Sequence, residues 1–242
     1  MGASVFWVES LPGSGDVVLG DSEGHHAGRV LRVRPGEEVI VTDGRGGRSL
    51  GVVSRVAGGE VVVALRGVVQ EVAQVPRLVV VQAIPKGDRG ELAVELMTEL
   101  GADEIVPWRA ERNVVRWRGD RGDKALGKWR SAAFAAAKQA RRSWFPEVDA
   151  ALSTAEVCQR FSGSTVLVLH EEASEPLVRQ PVAEAAEVVL VVGPEGGISA
   201  SELVEFESAG AVAVRLGRTV MRTSTAGAAG LAVVSAVSGR LV

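Results

Sequence analysis

The feature that most narrows the fold lies in the last third of the chain, where Val188-Val189-Leu190-Val191-Val192 runs without a polar residue into Gly193-Pro194-Glu195-Gly196-Gly197-Ile198-Ser199. A short apolar run bounded by turn residues predicts a strand buried on both faces, as parallel strands between helices are. Behind the glycines Ser199 can cap a helix, Glu202 stands at the third helical position to close a capping box, and Ile198 can staple onto Leu203. The order strand, glycine loop, helix sets a loop beyond the carboxyl end of a strand. Open parallel sheets hold ligands there, and residues without side chains allow close approach. A small-molecule site at Gly193 to Gly197 is expected.

The same alternation starts earlier. Arg77 to Ile84 is a continuous apolar strand, and Asp88 with Glu91 predicts a second capping box. The helix that follows carries Leu92, Leu96 and Leu100 on one face and ends at Gly101, a left-handed cap. Glu104 to Pro107, Thr165 to Leu169, Glu187 to Val192 and Ala211 to Leu216 supply further strands, five in all, so a parallel α/β sheet is the economical reading. Before Pro76 the pattern is different. From Val5 to about Val72, short β-branched runs at Asp16 to Leu19, Glu38 to Thr42 and Glu60 to Leu65 are separated by Pro12-Gly13, Pro35-Gly36, Asp43-Gly44 and Gly58-Gly59. That spacing predicts a small barrel, with Val39 to Val41 and Ser49 to Val53 as a hairpin. The linker Gln70 to Pro76 separates residues 1–72 from residues 76–242.

The glycine loop lacks the Lys-Ser/Thr ending of a P-loop and the Gly-x-Gly-x-x-Gly spacing of a dinucleotide fold, and Glu195 would repel a phosphate. A ligand with a base, a ribose and a positive centre, such as S-adenosylmethionine, suits it better. A tight turn that needs glycine for geometry alone is the bland alternative. A second loop, Leu216-Gly217-Arg218-Thr219-Val220-Met221-Arg222-Thr223-Ser224-Thr225-Ala226-Gly227, follows the last strand. The closing helix, Ala226 to about Ser238, is rich in alanine, glycine, serine and valine and is suited to very close packing.

Hydrophobic residues make up 46% of the 242, ample for a core. No apolar run reaches the roughly 18 residues of a membrane span, and no signal peptide or myristoylation pattern opens the chain. The single cysteine, Cys158, excludes an internal disulfide framework, reads as a core thiol and suits a reducing cytoplasm; with three histidines it makes no structural zinc site, and no metal is expected. The net charge of -3 hides an asymmetry. From Trp108 to Phe145 eleven cations, among them Arg112, Arg116, Arg141 and Arg142, face three acids, with Trp108, Trp117, Trp129 and Trp144 interleaved. Cations with flat aromatics suit RNA. Equally, the tryptophans can be core, which is the reading favoured for Trp129 and Phe134. Glu147 to Gly210 carries twelve acids against two arginines and is no RNA face. In the amino-terminal segment, His25 to Arg34 holds Arg29, Arg32 and Arg34, too many cations for a purely structural turn.

Taken together, Gly193-Pro194-Glu195-Gly196-Gly197, Leu216-Gly217 and Arg222-Thr223-x-Thr225-Ala226 resemble the E family of small-subunit (16S) ribosomal RNA methyltransferases, within the SPOUT superfamily. The resemblance extends to His25-His26 with Leu31-Arg32, to Glu99-Leu100-Gly101 with Pro107, and to Ala137 through Arg142 with Pro146. It implies a PUA-like β-barrel followed by a SPOUT-type parallel α/β domain closed by a carboxy-terminal trefoil knot, acting as a cytoplasmic homodimer on 16S rRNA, within the assembled small subunit. It also implies methylation of a uridine at N3 with S-adenosyl-L-methionine. The cofactor is then expected on Leu169, His170, Gly193, Pro194, Glu195, Gly196, Gly197, Leu216, Gly217, Val220, Met221, Arg222 and Ala226. The RNA is expected on His26, Arg29, Arg32, Arg34, Arg112, Arg116, Arg141 and Arg142. Ser224 stands where the family writes glutamate, so no role of that glutamate carries over; Val220-Met221-Arg222 replaces Ile-Leu-Arg and keeps the arginine.

N3 of uridine carries a proton, so its lone pair becomes available only as that proton leaves and charge builds on O2 or O4. Arg222 is the candidate to stabilise that charge. Glu195 is a candidate base, or else it bonds the loop or the ligand. Two other classes stay open: a non-catalytic RNA-binding protein, which Ser224 favours and the intact glycines oppose, and a SPOUT enzyme acting on transfer RNA, which the amino-terminal barrel opposes.

Overall fold

Apolar runs followed by loops become strands followed by turns in the computed structural model, which describes residues 3–241. Residues 3–73 with Ala137–Phe145 make one compact unit, and Gln74–Ala136 with residues 146–241 make a second.

In the first unit β1 (Ser4–Trp7), β2 (Asp16–Leu19), β3 (Glu38–Thr42), β4 (Gly47–Ala57) and β5 (Glu60–Gln70) form one sheet in the order β1-β3-β4-β5-β2. The expected hairpin is β3 with β4, where Val39 faces Gly51 and Val41 faces Ser49. Between β2 and β3 the chain forms α1 (Asp21–His25) and a π-helical turn, His26–Val30. Alternating side chains of these strands, Val39 with Val41 and Val61 with Val63, meet Phe6, Leu19 and Ala27 in one buried cluster. Residues 137–145 are tied to the strands through main-chain bonds from Gly46 N–H to Ser143 O (2.9 Å) and from Phe145 N–H to Gly44 O (2.9 Å).

The second unit holds β6 (Arg77–Ala83), α2 (Arg89–Glu99), β7 (Glu104–Trp108), α3 (Gly119–Gln139, whose last turn belongs to the first unit), β8 (Glu147–Val148), α4 (Thr154–Arg160), β9 (Thr165–Leu169), β10 (Glu187–Val192), α5 (Ala200–Ser208), β11 (Val212–Val214) and α6 (Thr223–Ser238). All strand pairs are parallel, in the order β11-β9-β10-β6-β7-β8. The sheet therefore has six strands, not the expected five; Glu147–Val148 is too short to leave a sequence signal and is recruited by its register with β7. Leu78, Val80, Leu190 and Val192 point to one face, with Met97 of α2 and Leu231 of α6, while Val79, Val81, Val189 and Val191 point to the other, with Val157 of α4 and Phe206 of α5. That is why these strands read as unbroken apolar runs. Cys158 is half-buried against the second face, and burial raises its thiol pKa.

Two expectations for α2 fail. Asp88 sits in the helical region (φ -75°, ψ -1°) and its side chain caps nothing, because a capping side chain needs an extended residue to reach back to the third helical N–H; Glu91 pairs instead with Lys128 at 3.5 Å. The buried face is Ala93, Val94 and Met97, whereas Leu92 is 44% exposed. Gly90 fixes this rotation, since a Cβ there would stand 2.6 Å from Trp129 Nε1. Gly101 does adopt the left-handed cap, at φ +88°. Among the described residues no helix is long and apolar enough to cross a membrane.

Candidate functional site

The carboxyl ends of β6, β9, β10 and β11 gather on one edge of the second unit's sheet. After β10 the chain turns through Gly197 N–H to Pro194 O (2.9 Å) with Gly197 at φ +74°, a value that favours glycine. Ser199 then caps α5 as expected. Its Oγ accepts from Glu202 N–H (3.2 Å) and Glu202 Oε2 accepts from Ser199 N–H (3.1 Å). Glu202 is 5% exposed, and its Oε1 also accepts from Glu111 N–H at 2.8 Å and Thr154 Oγ at 3.1 Å. One carboxylate thus ties α5 to α4 and to the loop after β7.

After β11 the second loop runs to Arg222, which precedes α6 in an extended conformation (φ -68°, ψ 149°). Gln82, fully buried at the end of β6, donates from Nε2 to Thr223 O at 3.3 Å and so holds the start of α6. Its Oε1 has no hydrogen-bond partner among the described residues, and Gly227 leaves room for it, a Cβ there falling 2.8 Å from Met97 Sδ.

Two adjoining cavities of about 100 and 320 Å³ open between these loops, sharing Leu169, Glu171, Val220, Met221 and Ala226. His170, Leu216 and Gly217 line the smaller; Gly193, Pro194, Glu195, Gly197 and Arg222 line the larger. Of the residues expected at the cofactor, only Gly196 lines neither. It backs onto Arg112, whose Nη1 donates to Gly196 O at 3.2 Å. Sequence reasoning missed Arg89 and Glu171. The signal for Arg89 was present, since it opens the helix behind β6 as Ala200 does behind β10.

Models of two families match the chain, the RNA methyltransferase domain over residues 73–235 and the RNA methyltransferase PUA domain over residues 19–65. A Mycobacterium bovis protein named ribosomal RNA small subunit methyltransferase E is 47% identical over 250 residues, covering 99% of this chain and 94% of its own. The chain belongs to the ribosomal RNA small subunit methyltransferase E family. A Neisseria gonorrhoeae ribosomal RNA small subunit methyltransferase E bound to S-adenosyl methionine superposes with a TM-score of 0.88 at 26% identity, over 97% of this chain and 98% of that one. A Legionella pneumophila methyltransferase in complex with SAM gives 0.88 at 27%, over 98% of each. The fold is thus α/β, with a PUA domain and a parallel-sheet methyltransferase domain.

The residues expected on RNA fall in both units. Arg112 serves the glycine loop, and Arg116 lines a third cavity. In the first unit Arg29, Arg32 and Arg34 are exposed around the π-helical turn, with Arg32 at φ +55°, while His26 is half-buried, its ring 6.5 Å edge-on to Phe6. Arg141 is exposed, also at φ +55°, and Arg142 is half-buried. Glu23 joins this segment to α1, accepting from Lys138 Nζ at 2.5 Å and from Trp7 N–H at 3.0 Å. Three of the interleaved tryptophans are engaged within their own units, and Trp117 is half-buried. Trp108 is fully buried and donates to Thr154 Oγ, Trp129 is 3% exposed and packs 5.0 Å from Trp117, and Trp144 donates to Glu71 O at 3.0 Å. Trp108 and Trp129 belong to the core, as large apolar rings commonly do. Phe134 is half-buried.

Proposed function

We propose that the chain transfers a methyl group from S-adenosyl-L-methionine to N3 of a uridine in 16S rRNA, within the assembled small subunit. The observation that carries this reading is the meeting of both loops around cavities whose walls are apolar at Leu169, Leu216, Val220, Met221 and Ala226 and acidic at Glu171 and Glu195. Apolar walls suit an adenine ring and carboxylates suit a sulfonium, so the residues present fit the cofactor. Gly193 and Gly197 allow the backbone to approach it, and Leu169, His170, Leu216 and Gly217 would hold the rest. When bound, that cofactor supplies an electrophilic methyl.

Arg222 would then place a permanent positive charge beside O2 or O4 of the target base as N3 loses its proton, a preorganised arrangement that costs no reorganisation during reaction. Glu195 is exposed, and its Oε1 accepts from Lys86 N–H at 3.3 Å, which orients a carboxylate able to take that proton. Residues 1–72, as a PUA-like barrel, would bind RNA through Arg29, Arg32 and Arg34, with Arg141 and Arg142 beside them, and residues 76–242 would carry the chemistry. On the family resemblance, residues 76–242 would be a SPOUT-type knotted domain that works as a homodimer in the cytoplasm, and the small residues that recur along α6 suit close packing there. Mass spectrometry of 16S rRNA from a strain lacking this chain tests the reading: one uridine one methyl lighter supports it, and an unchanged methylation pattern refutes it. With purified small subunits, Arg222→Ala should slow transfer by about 100-fold or more.

A further inference from the structure

The larger of the two adjoining cavities is lined by two guanidinium groups, Arg222 and Arg89, of which only Arg222 has a part in the chemistry above. Arg89 is the first residue of α2, and the turn before it is fastened to the glycine loop, because Lys86 N–H donates to Glu195 Oε1 at 3.3 Å. Among the described residues the Arg89 side chain makes no hydrogen bond and no ion pair. Yet Glu171 and Glu195 line the same cavity, and Asp88 and Glu91 stand within two residues of it in the chain. Glu91 is taken by Lys128. The cavity has a floor and a mouth: Val192, Ile198 and Thr223 are buried, whereas Arg89, Glu195, Val220, Met221 and Arg222 are exposed. A small cofactor held against the glycine loop takes the floor. A base of an RNA chain enters from the mouth and brings the phosphates of its own backbone to the rim.

We infer that Arg89 binds a phosphate of the RNA backbone next to the target uridine and so fixes how that nucleotide sits in the cavity, an inference that rests on the methyl-transfer reading above. A guanidinium presents parallel N–H groups to two phosphate oxygens, a pairing that sets direction as well as distance. Phosphate contacts of this kind position a nucleic acid without reading its sequence. Glu195 keeps a phosphate off the glycine loop, and Arg222 is committed to the base, which leaves Arg89 as the cation of this cavity for the backbone. With the phosphate held there, the base meets Arg222 and Glu195 on a strand already fixed in place. The other anion that suits a guanidinium at this rim is the carboxylate of the cofactor, and the experiment separates the two.

The experiment measures methyl transfer by the full chain to small subunits purified from a strain that lacks it, over a range of salt, beside calorimetry with S-adenosylmethionine. Arg89→Gln should raise the KM for subunits at least about tenfold, the effect of losing a hydrogen bond between charged groups, and keep cofactor affinity within about twofold of wild type. The fall of log(1/KM) with log salt should be shallower by roughly 0.7 to 0.9, the share of one phosphate contact. Arg89→Lys keeps the charge without the fork and should keep the wild-type slope. Arg89 is exposed and has no partner among the described residues, so its replacement leaves the fold alone, and a purely structural role would not move the slope. An unchanged KM or slope in Arg89→Gln, or a slope that Arg89→Lys fails to keep, overturns the inference. So does a cofactor affinity that falls along with the rise in KM, which would assign Arg89 to the cofactor's carboxylate. Failure of the methyl-transfer reading would look different, as a wild-type chain that transfers no methyl group to those subunits.

Discussion

At Gly196 the glycine loop leans on an arginine and lines neither of the two adjoining cavities. A Cβ there would come within 3.2 Å of Arg112 Cβ and 3.4 Å of its carbonyl oxygen, so Gly196→Val must push the loop off that support. Calorimetry should show S-adenosylmethionine affinity down at least about tenfold, the effect of overpacking by 1–3 kcal/mol, with the first unit's circular dichroism unchanged. An unaltered affinity would separate loop and cofactor. The need for glycine in this loop was legible from the turn sequence alone. Arg112's part was not, because its bond to Gly196 spans 84 residues of chain and no local pattern encodes it. Arg32 and Arg141 were read as charges, and the structure adds that both sit at φ +55°, a backbone state that non-glycine residues adopt at a cost. Ser224, at the position of the family glutamate, is 4% exposed in the first turn of α6.

Elements were legible where burial on two faces imposed unbroken apolar runs and where a cap is settled by its own four residues, as at Ser199. They were illegible where a distant partner sets rotation, as Trp129 does for α2 through Gly90. The segment Arg109 to Arg118 is a further case: it has no regular structure, and Glu111 pins it to α5. Hydrogen bonds from Ser199 and Ser201 hold the Glu111 carboxyl below its ordinary value of 4.5. A carboxyl depressed in the folded state contributes its contact above the unfolded value and loses it as pH falls through the folded one. Hydrogen exchange of residues 109–118, corrected for intrinsic rate, should therefore rise selectively as pH drops below about 4.5, and Glu111→Gln should show the faster exchange already at pH 7. Uniform exchange across that range in both proteins would assign the segment's order to other contacts.

For the molecule as a whole, RNA binding should weaken with salt while self-association should hardly respond to it. Replacing Arg29 and Arg32 with glutamine should flatten the salt dependence of RNA binding by roughly 0.7 to 0.9 in slope per lost phosphate contact and leave cofactor affinity alone. If the proposed homodimer forms through small apolar residues of α6, it should survive salt that releases RNA; light scattering at high salt that finds only monomers would count against it. Gly230→Leu tests the same helix, because a Cβ at that glycine would lie 3.1 Å from Leu190 Cδ1; a loss of about 1–3 kcal/mol in urea denaturation is expected. The strand rhythm changes near Pro76 in the sequence, yet the return of residues 137–145 to the first unit was invisible, being set by contacts to Gly44, Gly46 and Glu71. That return matters while the chain is being made. The first 73 residues leave the ribosome as a nearly complete unit that still lacks its closing segment, and at 5–20 residues per second about 4 to 14 seconds pass before Phe145 is synthesised. Through that interval the nascent first unit must stay open at the edge where Ser143, Trp144 and Phe145 will bind.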